Sequence, residues 1–227
     1  MKKLLTILLS VLMVLSLAAC AKKEEAPVEE QPQAEEKLVP DPVTAKNNYA
    51  DFVAAANDTE LEILMSVQDH QAYWEDNGQG KCTVYGQDDD GGYFVYEMKC
   101  DKALADVLLP GTLIKVTGYK SEWSGEVEIV DATFEIEDGS YIAPAEDVTA
   151  KLGTDELVNF QNRFVSFKDM TVEAKTDADG NEAAFLYNWD GSGEPGSDLY
   201  FDVSSNGQTY SFTVESYLCG QDTDVYK

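Results

Sequence analysis

KCTVYGQDDDGGYFVYEMKC, residues 81–100, is two alternating, β-prone runs around an acidic turn that ends in glycines. Read as a hairpin with a three-residue loop at Asp90, Gly91 and Gly92, it pairs Asp89 with Tyr93. Cys82 then stands opposite Cys100, Val84 opposite Met98, and Gly86 opposite Tyr96, all on one apolar face. The other face receives Thr83 opposite Lys99 and Tyr85 opposite Glu97. A slip of one residue would scramble this separation, so the hydrophobic pattern and the cysteines select one register. That register predicts a cross-strand disulfide, Cys82–Cys100, in an oxidising compartment. The alternative is two buried thiols acting as small hydrophobes. No metal site is expected from these cysteines, because His70 is the one histidine and no CxxC occurs. Cys219 has no evident mate.

The flanks extend the pattern. Upstream, ELEILMSVQDHQAYW alternates Leu61, Ile63, Met65 and Val67, a strand with one buried face. Before it, TAKNNYADFVAAAN carries Tyr49, Phe52, Val53 and Ala56 at helical spacing, with Thr44 placed as N-cap. Downstream, DKALADVLLPG predicts a short helix with Ala103, Leu104, Val107 and Leu108 on one side. TLIKVTGYKSEWSGEVEIVDATFEIE then gives two strands turning at Ser124-Gly125. Three strands, a short helix and two strands is the order of the OB-fold, a five-stranded Greek-key barrel with one short helix between strands 3 and 4. LLPGTLIKVTGY also resembles the connection between the third and fourth strands of OB-fold domains. The first domain is read as residues 44–143.

Residues 144–227 read as a second, partial OB-like copy. TAKLGTDELVNFQNR suits a lead-in helix, RFVSFKDMTVEA a first strand, and DLYFDVSSNGQTYSFTVES a hairpin turning at Asn206-Gly207. The copy stops before a fourth and fifth strand. It resembles uncharacterised bacterial lipoproteins with tandem OB-like domains, in which two further strands follow. That resemblance implies a C-terminally incomplete gene product; the alternative is a half-domain packed on the first barrel.

MKKLLTILLSVLMVLSLAAC has a basic start, an apolar run and no acid before Cys20, the pattern of a secretory signal in residues 1–19. Leu17-Ala18-Ala19-Cys20 resembles the lipobox of bacterial lipoproteins, which implies cleavage before Cys20, acylation of its thiol, and a lipid anchor on the extracytoplasmic face of a cell membrane. The alternative is a retained membrane anchor. Residues 20–43, rich in Glu, Pro, Ala and Gln, cannot bury a core and read as a lipid-anchored disordered linker. With 16 basic and 43 acidic residues the net charge is −27, which repels phosphate backbones and anionic headgroups.

No G-x-S-x-G, P-loop or H-E-x-x-H pattern occurs, so neither an enzyme nor a cofactor is expected. The acidic turns QDDDGG and TDADGNE miss the spacing of calcium loops and fit turn chemistry. Aromatics are the stronger signal. OB-folds bind ligands on the strand 2–3 face, flanked by the 1–2 and 4–5 loops. Those places hold Tyr73, Trp74, Tyr85 and Trp123, with Glu97 and Lys99 as polar partners, and they form the expected ligand face. Tyr93 is expected to point outward beside Tyr85, and Trp189 occupies the corresponding region of the second copy. Flat apolar rings beside amides and charges suit a neutral glycan or a peptide. The function read from the sequence is therefore a tethered, non-catalytic binding or envelope-interaction module, with a cell-envelope glycan or protein as partner. The alternatives are an OB-fold nucleic-acid binder, which the charge opposes, and a structural spacer in which Trp74 and Trp123 plug the barrel ends.

Overall fold

The computed structural model describes residues 43–220. The leader, Cys20 and the linker up to residue 42 fall outside the described residues, as does the side chain of Cys219. Among the described residues no helix is long and apolar enough to cross a membrane.

The first six strands are β1 (Glu60–His70), β2 (Trp74–Asp76), β3 (Gln79–Gln87), β4 (Gly92–Lys99), β5 (Thr112–Trp123) and β6 (Glu126–Ser140). β1 pairs antiparallel with β3 on one side and with β5 on the other. β3 pairs antiparallel with β4, and β5 with β6. A parallel step from β4 to β6, Phe94↔Glu128 and Val95↔Ile129, closes the ring. The chain is mostly β, and this closed five-stranded Greek-key ring is an OB-type barrel. Leu61, Ile63, Met65 and Val67 of β1 face inward, as their alternation requires, against Val84, Val95, Met98, Ile114, Val116 and Ile129.

Helix α1 (Tyr49–Ala54) leads in, but its N-cap is Asn48 rather than Thr44. Asn48 Oδ1 accepts from the Asp51 N–H at 3.0 Å, and Asp51 answers at the Asn48 N–H, a reciprocal cap that Thr44 is too far upstream to make. Phe52 of α1 fills one mouth of the barrel against Tyr93, with ring centroids 5.3 Å apart. Tyr73 packs on the core at the other mouth, beside Gly80 and Cys100. Helix α2 (Lys102–Ala105) sits between the third and fourth barrel strands. It is a single turn, so the four-residue apolar side expected for it does not form. Ala105 and Leu108 are buried, while Leu104 and Val107 are exposed.

The central hairpin keeps its apolar face but not the expected register. Its loop spans residues 88–91, so Gln87 pairs with Gly92, Gly86 with Tyr93, Tyr85 with Phe94 and Val84 with Val95. A bulge follows: Thr83 stands against both Tyr96 and Glu97, and Glu97 adopts φ 47. Beyond it Cys82 pairs with Met98, and the Cys100 N–H bonds to Gly80. Two consequences correct the sequence reading. Cys82 and Cys100 are diagonal rather than opposite, and both are buried free thiols, not a disulfide. Tyr93 turns inward and is fully buried, its hydroxyl donating to Asp88 at 2.6 Å, while Phe94 turns outward.

The second part holds β7 (Glu146–Asp147), β8 (Val165–Ser166), β9 (Thr171–Glu173), β10 (Lys175–Thr176), β11 (Glu182–Ala183), β12 (Leu186–Tyr187), β13 (Leu199–Ser205) and β14 (Gln208–Val214). β7 pairs parallel with β8, and β10 with β11 as a short ribbon. The expected lead-in helix appears as two 3-10 turns, Thr149–Lys151 and Asp155–Phe160. β13 and β14 form the predicted hairpin at Asn206-Gly207, whose φ values of 53° and 78° fit a type I′ turn. β9 and β12 pair with β13 along its other side. Among the described residues this is the strand order of the barrel's first three strands, β9 and β14 flanking β13. Its core is thin: Leu199 and Val203 are buried, and Phe201 stacks on Phe212 at 5.6 Å.

Candidate functional face

The turn end of the β3–β4 face is covered. Residues 161–164 run across it in close contact with the backbone. Gln161 Nε2 donates to the Gly125 carbonyl at 2.9 Å, and Asn162 Nδ2 to that of Val127 at 3.4 Å. Arg163 donates to the Asp90 carbonyl at 2.6 Å and pairs with Glu146 at 3.1 Å. The Phe164 N–H donates to Gln87 Oε1 at 2.8 Å. A Cβ placed on Gly92 would lie 2.3 Å from the Asn162 carbonyl group, so only glycine admits this approach.

The other end of the face is open and carries half of the expected site, Trp74, Glu97 and Lys99. The 1–2 connection is not a loose loop. Trp74 to Lys81 is a hairpin arm turning at Asn77-Gly78, with φ values of 50° and 79°. Trp74 pairs with Lys81, and Lys81 with Lys99. The Lys81 ammonium stands 4.8 Å from the centroid of the Trp74 ring and bonds Glu97 at 2.7 Å and Asp76 at 3.3 Å. Glu97, Asp76 and the cation–π contact thus hold Lys81 against the indole. Trp74 remains 40 % exposed, so it does not plug the barrel. Tyr73 does: its ring lies on the core and its hydroxyl donates to Glu75 at 2.8 Å, which takes it off the ligand face. Lys99 is exposed.

Trp123, 72 % exposed at the tip of the β5–β6 hairpin, is not a plug either. It is also remote from Trp74. Trp123 pairs with Glu126, which the β4–β6 register sets level with Gly92, whereas Trp74 is level with Lys99. Seven residues of strand separate them, roughly 23 Å. The expected site residues therefore do not converge: Trp74, Glu97 and Lys99 share one end, Tyr85 lies midway, and Trp123 marks the far end.

Between the ends runs a row of rings the sequence reading missed in part. Tyr85 and Phe94 lie 5.1 Å apart and Phe94 and Tyr96 6.1 Å apart. Phe94 and Tyr96 became visible only once the register was known. Burial pushes the Tyr85 hydroxyl up, helped by the charges of Glu215, Glu126 and Asp69. Glu215 follows β14 in the second part. Glu126 and Glu128 stand on the outer side of β6 beside it.

Elsewhere the polar groups serve the fold. Asp88 accepts from the Asp90 and Gly91 N–H groups, and Asp177 from those of Asp179 and Asn181, so both acidic turns spend carboxylate oxygens on their own backbone. Burial pushes the Cys82 thiol up to about 12 and the Cys100 thiol to about 11, against nucleophilic use. His70 Nδ1 lies 2.7 Å from the Gln71 carbonyl oxygen and 3.4 Å from Cys82 Sγ.

No protein-family model matches the chain, and no curated protein matches it. Similar solved structures include the p204 HINb domain, at 10% identity and TM-score 0.36 over 71% of this chain and 78% of that one. The Ifi202 HINa domain in complex with 20-bp double-stranded DNA gives 11% and 0.34 over 69% and 74%. A replication protein A heterotrimer bound to single-stranded DNA gives 12% and 0.29 over 70% of this chain and 39% of that one.

Proposed function

We propose that the chain is a membrane-tethered extracytoplasmic lipoprotein whose barrel is a non-catalytic binding module for a neutral glycan or peptide. The tether reading rests on the leader and on Cys20 in LAAC. The binding reading is carried by one observation: the exposed Trp74 indole, backed by Lys81 and Glu97, at the open end of the β3–β4 face. An indole with a fixed cation behind it offers a rigid flat surface edged by hydrogen-bonding groups, which suits a pyranose ring or an extended peptide. Trp123 stands too far away to share a small ligand and would meet only a longer one.

The test is a glycan and peptidoglycan-fragment array read by tryptophan fluorescence, repeated with Trp74→Ala and Trp123→Ala. Binding lost in Trp74→Ala supports the reading. Silence across the array, or binding untouched in Trp74→Ala, removes it and favours the spacer. Labelling with an alkynyl fatty acid tests the anchor, and Cys20→Ser must lose the label.

A second reading has its own observation. The Tyr85–Phe94–Tyr96 row lies on the face where OB-folds hold single strands, with Tyr96 exposed, Tyr85 half-buried and Phe94 buried between them. The net charge and the flanking glutamates oppose it. Retention of oligo-dT at low salt, falling steeply as salt rises, would favour this reading over the first.

A further inference from the structure

We propose that the cleft between α1, β5 and the turn Asp155–Phe160 binds a small organic carboxylate with an apolar body, its charge placed at Lys120. The cleft has a volume of about 410 Å³, inside the range of roughly 300–1,000 Å³ typical of small-molecule sites. α1 supplies Phe52 and Val53, β5 supplies Lys120 and Glu122, and the turn supplies Val158 and Asn159. Val53 and Val158 are 55 % and 58 % exposed, so apolar wall is left facing water that an apolar ligand would displace.

Lys120 carries the argument. It is 7 % exposed, the one cation among the described residues that is buried. Its Nζ donates to the Val53 and Ala55 carbonyls at 2.9 and 2.7 Å and lies 5.7 Å from the centroid of the Phe52 ring. An ammonium has three donors, so these two bonds leave one in hand. The two carbonyls bring dipoles but no formal negative charge. Among the described residues Lys120 forms no ion pair, whereas the other cations, the exposed Lys99 apart, all do. Withdrawing a charge from water is costly, and an anionic acceptor makes the stronger, charge-assisted bond. A carboxylate on the remaining donor supplies that acceptor, with its carbon against Phe52, Val53 and Val158.

The negative charge of the whole chain does not decide the matter. At physiological salt, exposed charges more than about 8 Å apart are largely screened. Within the cleft the opposing group is Glu122, two residues along β5 from Lys120 and roughly 7 Å away. Glu122 is exposed, so water weakens its field, while Lys120 acts from a drier place. The cleft lies at the Trp123 end of the barrel, so the inference does not rest on a glycan at Trp74.

The probe is 3-phenylpropionate, titrated at neutral pH into the full chain beside its near-isosteric neutral amide, 3-phenylpropanamide, and followed by calorimetry. The acid is expected to bind at least about tenfold more tightly. Lys120→Met should abolish that preference, but it also releases the carbonyls that end α1, so the decisive variants are at the exposed Val158. Val158→Glu puts another carboxylate in the cleft without touching Lys120 and should remove the preference. Val158→Gln, matched in size and uncharged, should keep it. Equal affinity for acid and amide, no binding of either, a preference that survives Val158→Glu, or one lost equally in Val158→Gln overturns the proposal. A silent glycan array bears on the Trp74 end and leaves this result standing.

Discussion

The side-chain carbonyl of Gln87 accepts the backbone N–H of Phe164 at 2.8 Å, tying the outer side of a barrel strand to the segment that opens the second part. Gln87 is buried, so water cannot replace it. Gln87→Leu should leave the Phe164 N–H without an acceptor and cost about 1–3 kcal/mol, read as a lower urea midpoint. Gln161→Ala, which removes an exposed bond to the Gly125 carbonyl and a longer one from the Val127 N–H at 3.3 Å, should cost less. An unchanged midpoint in Gln87→Leu would show that the two parts are not fastened here.

Gly92 sets how closely they approach. Its added Cβ would meet the Asn162 backbone at 2.3 Å, and backbone cannot swing aside as a side-chain tip can. Gly86→Ala is the contrast, since its Cβ meets the flexible Met65 Sδ at 2.4 Å. Gly92→Ala should therefore expose the 161–164 segment to limited proteolysis, whereas Gly86→Ala should lower Tm without creating that cut. Equal proteolytic resistance in wild type and Gly92→Ala would refute this.

With both thiols free and deeply buried, a reductant has no barrel bond to break. Dithiothreitol should leave Tm unchanged. Iodoacetamide near neutral pH should label Cys82 and Cys100 only after denaturant is added, because burial holds both thiols far above that pH. A Tm that drops under reductant would restore the cross-strand bridge.

Acid should act in two opposite directions. Asp147 is held down to about 2 by the Thr149 hydroxyl, by Lys168 and by the Thr149 N–H, and Asp202 is lowered by Lys175 and Ser211. Their folded values lie below the unfolded one, so their stabilisation is complete above about pH 4 and lost as the pH falls toward their folded values. Glu126 is raised, mainly by burial, so its contribution has the other sign: present below about pH 4 and lost as the pH rises through its folded value. Thermal melts should show Tm rising on acidification from neutral pH and then falling below about pH 4. In Glu126→Gln the rise should shrink; an identical rise in that variant would exclude Glu126 as a cause.

How far the sequence reached depended on what each signal encodes. Alternation at Leu61, Ile63, Met65 and Val67 and the order of elements gave the barrel, because period and order are local properties. The Asn206-Gly207 turn was equally legible, since a two-residue turn fixes its own register. The central hairpin was not, because its register depends on a four-residue loop and a bulge at Glu97, and neither leaves a mark in the hydrophobic pattern. From that one slip came the disulfide, the outward Tyr93 and the omission of Phe94 and Tyr96. The separation of Trp74 from Trp123 follows from the parallel β4–β6 step, a pairing between segments some 30 residues apart in sequence.

The ring in which β1 joins both β3 and β5 has a cost in time. Glu60 and Tyr119 are neighbours in the barrel but 59 residues apart in the chain. A polypeptide emerging from its N-terminus can zip β1 onto β3 early, yet it must keep the other margin of β1 open until β5 arrives. During that wait the nascent sheet is a template for stray strands. The dense negative charge carried by the chain gives it a use at that stage, holding half-built copies apart until the last stave is in place.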